Sequence, residues 1–179
     1  MKVEYFSIAG LIKFIPSLFE DERGFFMEHF NADRYEAYLP HAFVQDNISQ
    51  SHRGVLRGLH FQAPPFAQGK LVQVLKGSVI DVAVDLRTHS STFGQYQMIE
   101  LSDKNRTQFY IPEGFAHGFI ALEDHTLFSY KCTNVYSSEH ERTLLWNDPT
   151  LGIEWPDISK IVSSKDQEGA LLNHLNNPF

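Results

Sequence analysis

From residue 54 onward the chain alternates apolar and polar positions with a period of two, the spacing of strands with two unlike faces. GVLRGLHFQ (54–62), KLVQVLKG (70–77), SVIDVAVDLR (78–87) and GQYQMIELS (94–102) read this way. TQFYIP (107–112), HGFIAL (117–122) and TLFSYKCTNVY (126–136) continue the pattern. Between them, SDKN (102–105) and PEG (112–114) supply residues that turns select. Many short strands at near-regular spacing predict a mainly β protein, an antiparallel sandwich or barrel and not a βαβ array. Upstream, NADRYEAYL (31–39) predicts a short helix with Asn31 as its N-cap. The tail SSKDQEGALLNHL (163–175) predicts an irregular segment and a short helix laid over the strands. No linker, repeat or low-complexity segment divides the chain, so residues 1–179 are expected to form a single domain.

Parity adds chemistry to this frame, because residues two apart on a strand share a face. His60 and Gln62 point the same way, Lys70 points with Val72 and Val74, and Tyr130 points with Tyr136 if their strand is unbroken. Arg57 has the wrong parity to join His60 unless Gly58 marks a bulge, a common use of a strand glycine. Ionisable groups inside apolar alternation are unfavourable unless paired or used. A barrel interior lined by His, Lys, Tyr and Gln among aliphatics therefore predicts a ligand site.

Composition narrows the classes. A formal charge of −7 argues against nucleic acid or an anionic membrane as partner, while leaving room for a local basic pocket. The single cysteine, Cys132, has no internal disulfide partner, and no apolar run reaches the length of a signal peptide or membrane span. A cytoplasmic protein is the expectation. No phosphate-binding loop, G-x-G-x-x-G helix start or G-x-S-x-G elbow is present. Nucleotide hydrolysis and acyl transfer thus lose their usual signatures.

IPEGFAHGF contains P-x-G-x-x-H at Pro112, Gly114 and His117, which resembles the second motif of the cupin jelly rolls. The first cupin motif would bring further His and Glu ligands, but Gln62 stands where a second His belongs and no Glu follows. A neutral amide is a poor ligand for a transition metal. The fold signal persists without the metal signal: a cupin-type jelly-roll barrel or sandwich with short peripheral helices, no metal and no cofactor.

Nine blocks in order carry a wider resemblance: FEDERGFFMEHF (19–30), FVQDNIS (43–49), GVLRGLHFQ, QGKLVQV, DVAVDLR, FYIPEGFAHGF, YKCTNVY, WNDPTLGIEWP (146–156) and SSKD (163–166). Together they resemble the dTDP-4-dehydrorhamnose 3,5-epimerase family over nearly the whole chain. That resemblance implies inversion of C3 and C5 of dTDP-4-keto-6-deoxyglucose, on the route to dTDP-L-rhamnose. It implies His60 as base, Asp166 as its carboxylate partner, Lys70 as the cation beside the C4 oxygen, and Tyr130 as the acid on the opposite face. By the same mapping Arg23, Glu28, Gln45, Asp46, Asn47, Arg57, His117, Glu141 and Lys165 contact the substrate. Members are dimers, and IKFIPSLFE (12–20) is the strand expected to reach a second copy. Ile48 and Val135 depart from the family's usual residues.

Taken singly, each residue has a structural use: a hydrogen-bonded core histidine, a barrel tyrosine, a lysine reaching the rim, an aspartate in a turn. His117 has one too, holding the PEG turn. A single-site epimerase, a 3,4-ketoisomerase, a metal-dependent oxygenase and a non-catalytic sugar-nucleotide binder are the competing readings. The complete set of four favours the double epimerase.

Overall fold

Alternation becomes sheet wherever one face of each strand finds an apolar partner. A computed structural model describes residues 1–179. Strands β1 (Lys2–Tyr5), β2 (Ile12–Ile15), β3 (Leu18–Asp21) and β4 (Gly24–Met27) precede a one-turn helix, α1 (Ala32–Tyr35). The body follows as β5 (Gln45–Ser51), β6 (Val55–Gln62), β7 (Lys70–Lys76), β8 (Ser78–Asp85), β9 (Tyr96–Ser102), β10 (Gln108–Ile111), β11 (Phe115–Ala121) and β12 (Thr126–Cys132). Short strands β13 (Glu141–Thr143) and β14 (Ile161–Val162), helix α2 (Ser164–Gln167) and a 3-10 turn at Leu172–His174 close the chain.

Two sheets result, ordered β1-β2-β10-β7-β12-β5 and β13-β6-β11-β8-β9, with β14 added beside β6; β3 and β4 form a separate hairpin. Between the sheets, Val72, Val74, Phe109 and Phe128 of the first pack with Val79, Ala83, Leu101 and Phe119 of the second. This is a sandwich, as the alternation predicts, and of the jelly-roll type that the P-x-G-x-x-H resemblance implies. The outer faces are covered as well: Tyr35 and Leu39 pack with Phe14 and Leu71, and Leu144, Leu151 and Leu172 pack with Leu59, Phe61 and Val84. Double coverage explains β8, where Val79 and Ala83 face inward and Val82 and Val84 face the tail.

Three expectations are corrected here. The helix expected over 31–39 is one turn, capped by Asn31 Oδ1 accepting from Arg34 N, and the chain then folds back so that Leu39 packs against the first sheet. Ile12–Ile15 is no free edge, since β1 and β10 occupy its two sides. What stands apart from the sheets is the β3–β4 hairpin, with Phe19, Phe25 and Phe26 exposed. The third concerns Tyr136: β12 ends at Cys132, so Tyr136 does not share the Tyr130 face by strand parity but lies exposed on a loop at the edge of a small cavity.

The bulge at Gly58 is present. Opposite β11, His60 pairs with His117 and Arg57 with Phe119, so Gly58 and Leu59 together face the single residue Gly118. Gly58 sits at φ +123°, and a Cβ there would lie 2.6 Å from Gly118 Cα and 2.8 Å from the His117 carbonyl oxygen. Gly58→Ala is therefore expected to destabilise the fold by about 1–3 kcal/mol through backbone strain, with steric overlap in addition. A thermal melt of the variant checks this, and an unchanged midpoint would refute it.

Candidate active site

The extra residue in β6 turns Arg57 onto the same side as His60, and both line a cavity of roughly 530 Å³. Lys70 enters from β7, Tyr130 from β12, His117 from β11, and Lys165 and Asp166 from α2. A smaller cavity of about 100 Å³ adjoins it, lined by Gln45, Asn47, Gln62, Cys132, Tyr136 and Glu141. His60, Lys70 and Tyr130 border both spaces and so form their common wall.

His60 Nε2 lies 2.6 Å from Asp166 Oδ1. Asp166 is 3% exposed, and its other oxygen accepts from the Gly58 backbone N–H at 3.3 Å. Ser163 caps α2 by accepting from the Asp166 backbone N–H, which fixes the carboxylate beside the bulge. Burial pushes the Asp166 carboxyl up, but the His60 hydrogen bond and charge, with Gly58 and Ser163, outweigh it and leave the group below the ordinary carboxylate range. An ionised carboxylate only accepts, so His60 supplies the proton of this hydrogen bond through Nε2–H, the arrangement that places the lone pair of a neutral ring on Nδ1.

The Lys70 backbone pairs within the ladder, but its ammonium makes no hydrogen bond or ion pair within the chain. Burial holds its ammonium below the ordinary lysine range, opposed by the neighbouring Cys132, Asp81 and Glu141. Burial likewise pushes the Tyr130 phenol above its usual range, which keeps it protonated and able to donate. Cys132 stands opposite Lys70 in the ladder, and burial raises its thiol. It is thereby kept out of the thiolate form a nucleophile needs.

Of the remaining residues expected at the site, His117 is buried with Nε2 2.8 Å from Asp81 Oδ2, so it holds β8 and not the PEG turn. Glu141 pairs with Lys165 at 2.6 Å and accepts from the Tyr136 hydroxyl at 2.9 Å. Arg57 donates to Ser51 Oγ and to the Gln50 carbonyl. Arg23, Glu28 and Asp46 do not reach either cavity. Arg23 pairs with Asp21 on the exposed hairpin, Glu28 with Arg34 and Asn31, and Asp46 with Lys131 on the outward side of β5. Ile48 shares that outward side and is 67% exposed, so its departure from the family leaves the cavity wall unchanged.

Asp81 and Ser49 escaped the sequence reading. Asp81 was detectable as a carboxylate with the inward parity of Val79 and Ala83, whereas Ser49 sits in an already polar alternation that marks nothing. Gln62, in the place of a metal ligand, is committed to the Phe66 and Val135 carbonyls and the Ser137 N–H. No group of three or more His, Cys, Asp or Glu side chains is arranged to hold a metal ion.

A histidine with its carboxylate, a half-buried lysine and a protonated phenol share one cavity of a jelly roll, a set of the kind that acid–base enzymes of cupin type use. The family model for dTDP-4-dehydrorhamnose 3,5-epimerase matches residues 5–174, and the chain belongs to this family. It is 50% identical over 171 residues to the dTDP-4-dehydrorhamnose 3,5-epimerase of Shigella flexneri, covering 94% of each chain. It is 51% identical over 167 residues to that of Methanothermobacter thermautotrophicus, covering 90% of this chain and 89% of the other. The crystal structure of the Legionella pneumophila epimerase in complex with dTDP-4-keto-L-rhamnose superposes with a TM-score of 0.95 at 47% identity, covering 98% of this chain and 94% of that one.

Proposed function

We propose that this chain is a dTDP-4-dehydrorhamnose 3,5-epimerase, inverting C3 and C5 of dTDP-4-keto-6-deoxyglucose toward dTDP-L-rhamnose. The observation that carries the catalytic assignment is the His60–Asp166 dyad sharing one cavity with a half-buried lysine whose ammonium has no partner in the chain. In the gluco chair, H3 and H5 are both axial on one face, so a single base serves both carbons in turn. His60 Nδ1 takes the C3 proton, the C–H electrons pass into an enolate at C4, and Lys70 stabilises the oxyanion. Tyr130 then returns a proton from the opposite face; solvent takes the proton from the imidazolium and reprotonates the phenolate, and the cycle repeats at C5. Asp166 holds the tautomer and stabilises the imidazolium between transfers. Arg57, Lys165, His117, Glu141, Gln45 and Asn47 are assigned to binding, and the local cations reconcile an acidic protein with an anionic substrate.

Proton NMR of dTDP-4-keto-6-deoxyglucose in D2O tests this reading. Deuterium is expected at both C3 and C5; exchange at one carbon would indicate a single-site epimerase, and exchange at neither would overturn the chemistry. No helix is long and apolar enough to cross a membrane.

We read residues 1–179 as one domain, since the tail and α1 each complete the outer packing of a sheet. We also read the chain as a homodimer that uses the β3–β4 hairpin, whose exposed Phe19, Phe25 and Phe26 form an apolar surface. Arg23 and Glu28 would then act from the subunit interface. Light scattering is expected to give twice the chain mass, and a monomer would refute the assembly.

A further inference from the structure

The inward side chains of β5 are Gln45, Asn47, Ser49 and Ser51, and three of them have partners within the protein. Gln45 Nε2 donates to Asn47 Oδ1 at 3.1 Å, and Ser51 Oγ accepts from Arg57 Nε at 3.1 Å. Ser49 differs. It lines the large cavity, yet its Oγ is shielded from solvent and has no hydrogen-bond partner. A hydroxyl without a partner in such a place is unfavourable, and native structures rarely keep one without a reason.

Its position in the ladder supplies the reason. Ser49 stands opposite Phe128, one step along from the Asn47–Tyr130 pair and one step short of Ser51, where Arg57 is anchored. It therefore lies between the phenol assigned to proton return and the guanidinium assigned to the anionic part of the substrate. A serine hydroxyl both donates and accepts, and rotation about χ1 carries Oγ from its shielded place toward the cavity the residue lines, where it suits a neutral sugar hydroxyl.

We propose that Ser49 Oγ is a specificity-determining substrate contact, hydrogen-bonded to a ring hydroxyl of the keto sugar beside Tyr130. This rests on the keto-sugar nucleotide reading above. Without ligand the hydroxyl is a small defect in the wall; with ligand it is satisfied, and an analogue lacking that oxygen leaves it unsatisfied.

The test compares the unmodified enzyme with Ser49→Ala on dTDP-4-keto-6-deoxyglucose and on analogues deoxygenated at C2 or at C3, following exchange at C5. On the full substrate the variant is expected to lose about tenfold in kcat/KM, chiefly through KM. Its melting temperature should stay level or rise, because alanine removes an unpartnered hydroxyl. On one of the two analogues the variant and the parent should become equal, which identifies the bonded oxygen. Equal kcat/KM on the full substrate would overturn the contact while leaving the functional reading intact. A uniform loss on all three substrates with a lowered melting temperature would also overturn it, as a packing role. No turnover by the unmodified enzyme would overturn both readings together.

Discussion

His60→Asn is expected to lower turnover by about a thousandfold and to abolish deuterium incorporation at C3 and C5, while dTDP still binds. The amide keeps much of the ring's volume and a donor toward Asp166 but has no basic nitrogen. Loss of the base thus separates from loss of the pocket. A parallel fall in dTDP affinity, measured by calorimetry, would instead make His60 a structural residue. Because Asp166 acts only through the ring it holds at 2.6 Å, adding Asp166→Asn to this variant should cost little more.

Lys70→Met is expected to reduce kcat by about 10²–10³-fold, the usual effect of removing one preorganised oxyanion partner. The reasoning is electrostatic. Lys70 has no partner in the chain, so its charge is left for the oxygen that becomes negative in the transition state. The cost of holding it there appears in its pKa, which burial keeps below the ordinary lysine range. As pH rises through that lowered value the cation is lost, so kcat/KM should fall at a pH lower than an unperturbed lysine predicts. Tyr130 shifts the opposite way and ionises later. Lys70→Arg, whose guanidinium stays charged, should remove the alkaline limb even though its geometry lowers the rate. A pH profile identical in Lys70→Arg and the unmodified enzyme would rule out Lys70 as the source of that limb.

Much of this site was readable from alternation alone. Lys70 shares its inward face with Val72 and Val74, and the bulge that admits Arg57 follows from one strand glycine. What stayed hidden depends on contacts between distant segments. Nothing local distinguishes Ile12–Ile15 as an inner strand, because its place is set by β1 and β10 on either side. Parity marks Asp81 as an inward carboxylate, but its partner His117, 36 positions away, shows only in the fold. The helix over 31–39 fell to one turn because packing Leu39 against the first sheet outweighed helix propensity. Tyr136 was misplaced because parity holds only while a strand lasts.

The dyad joins residues 106 positions apart, and its carboxylate arrives on the tail that also bonds Ala170 to Leu145 and Thr143. Synthesis runs from the N-terminus, so every strand from β1 to β14 emerges from the ribosome before Asp166 does. A chain stalled or clipped ahead of α2 lacks the group that sets the histidine's tautomer, and with it Leu172, Leu175 and Phe179, which pack on the outer face of the second sheet. Activity is thereby linked to complete translation, since the same late segment supplies both the dyad carboxylate and the outer cover of a sheet.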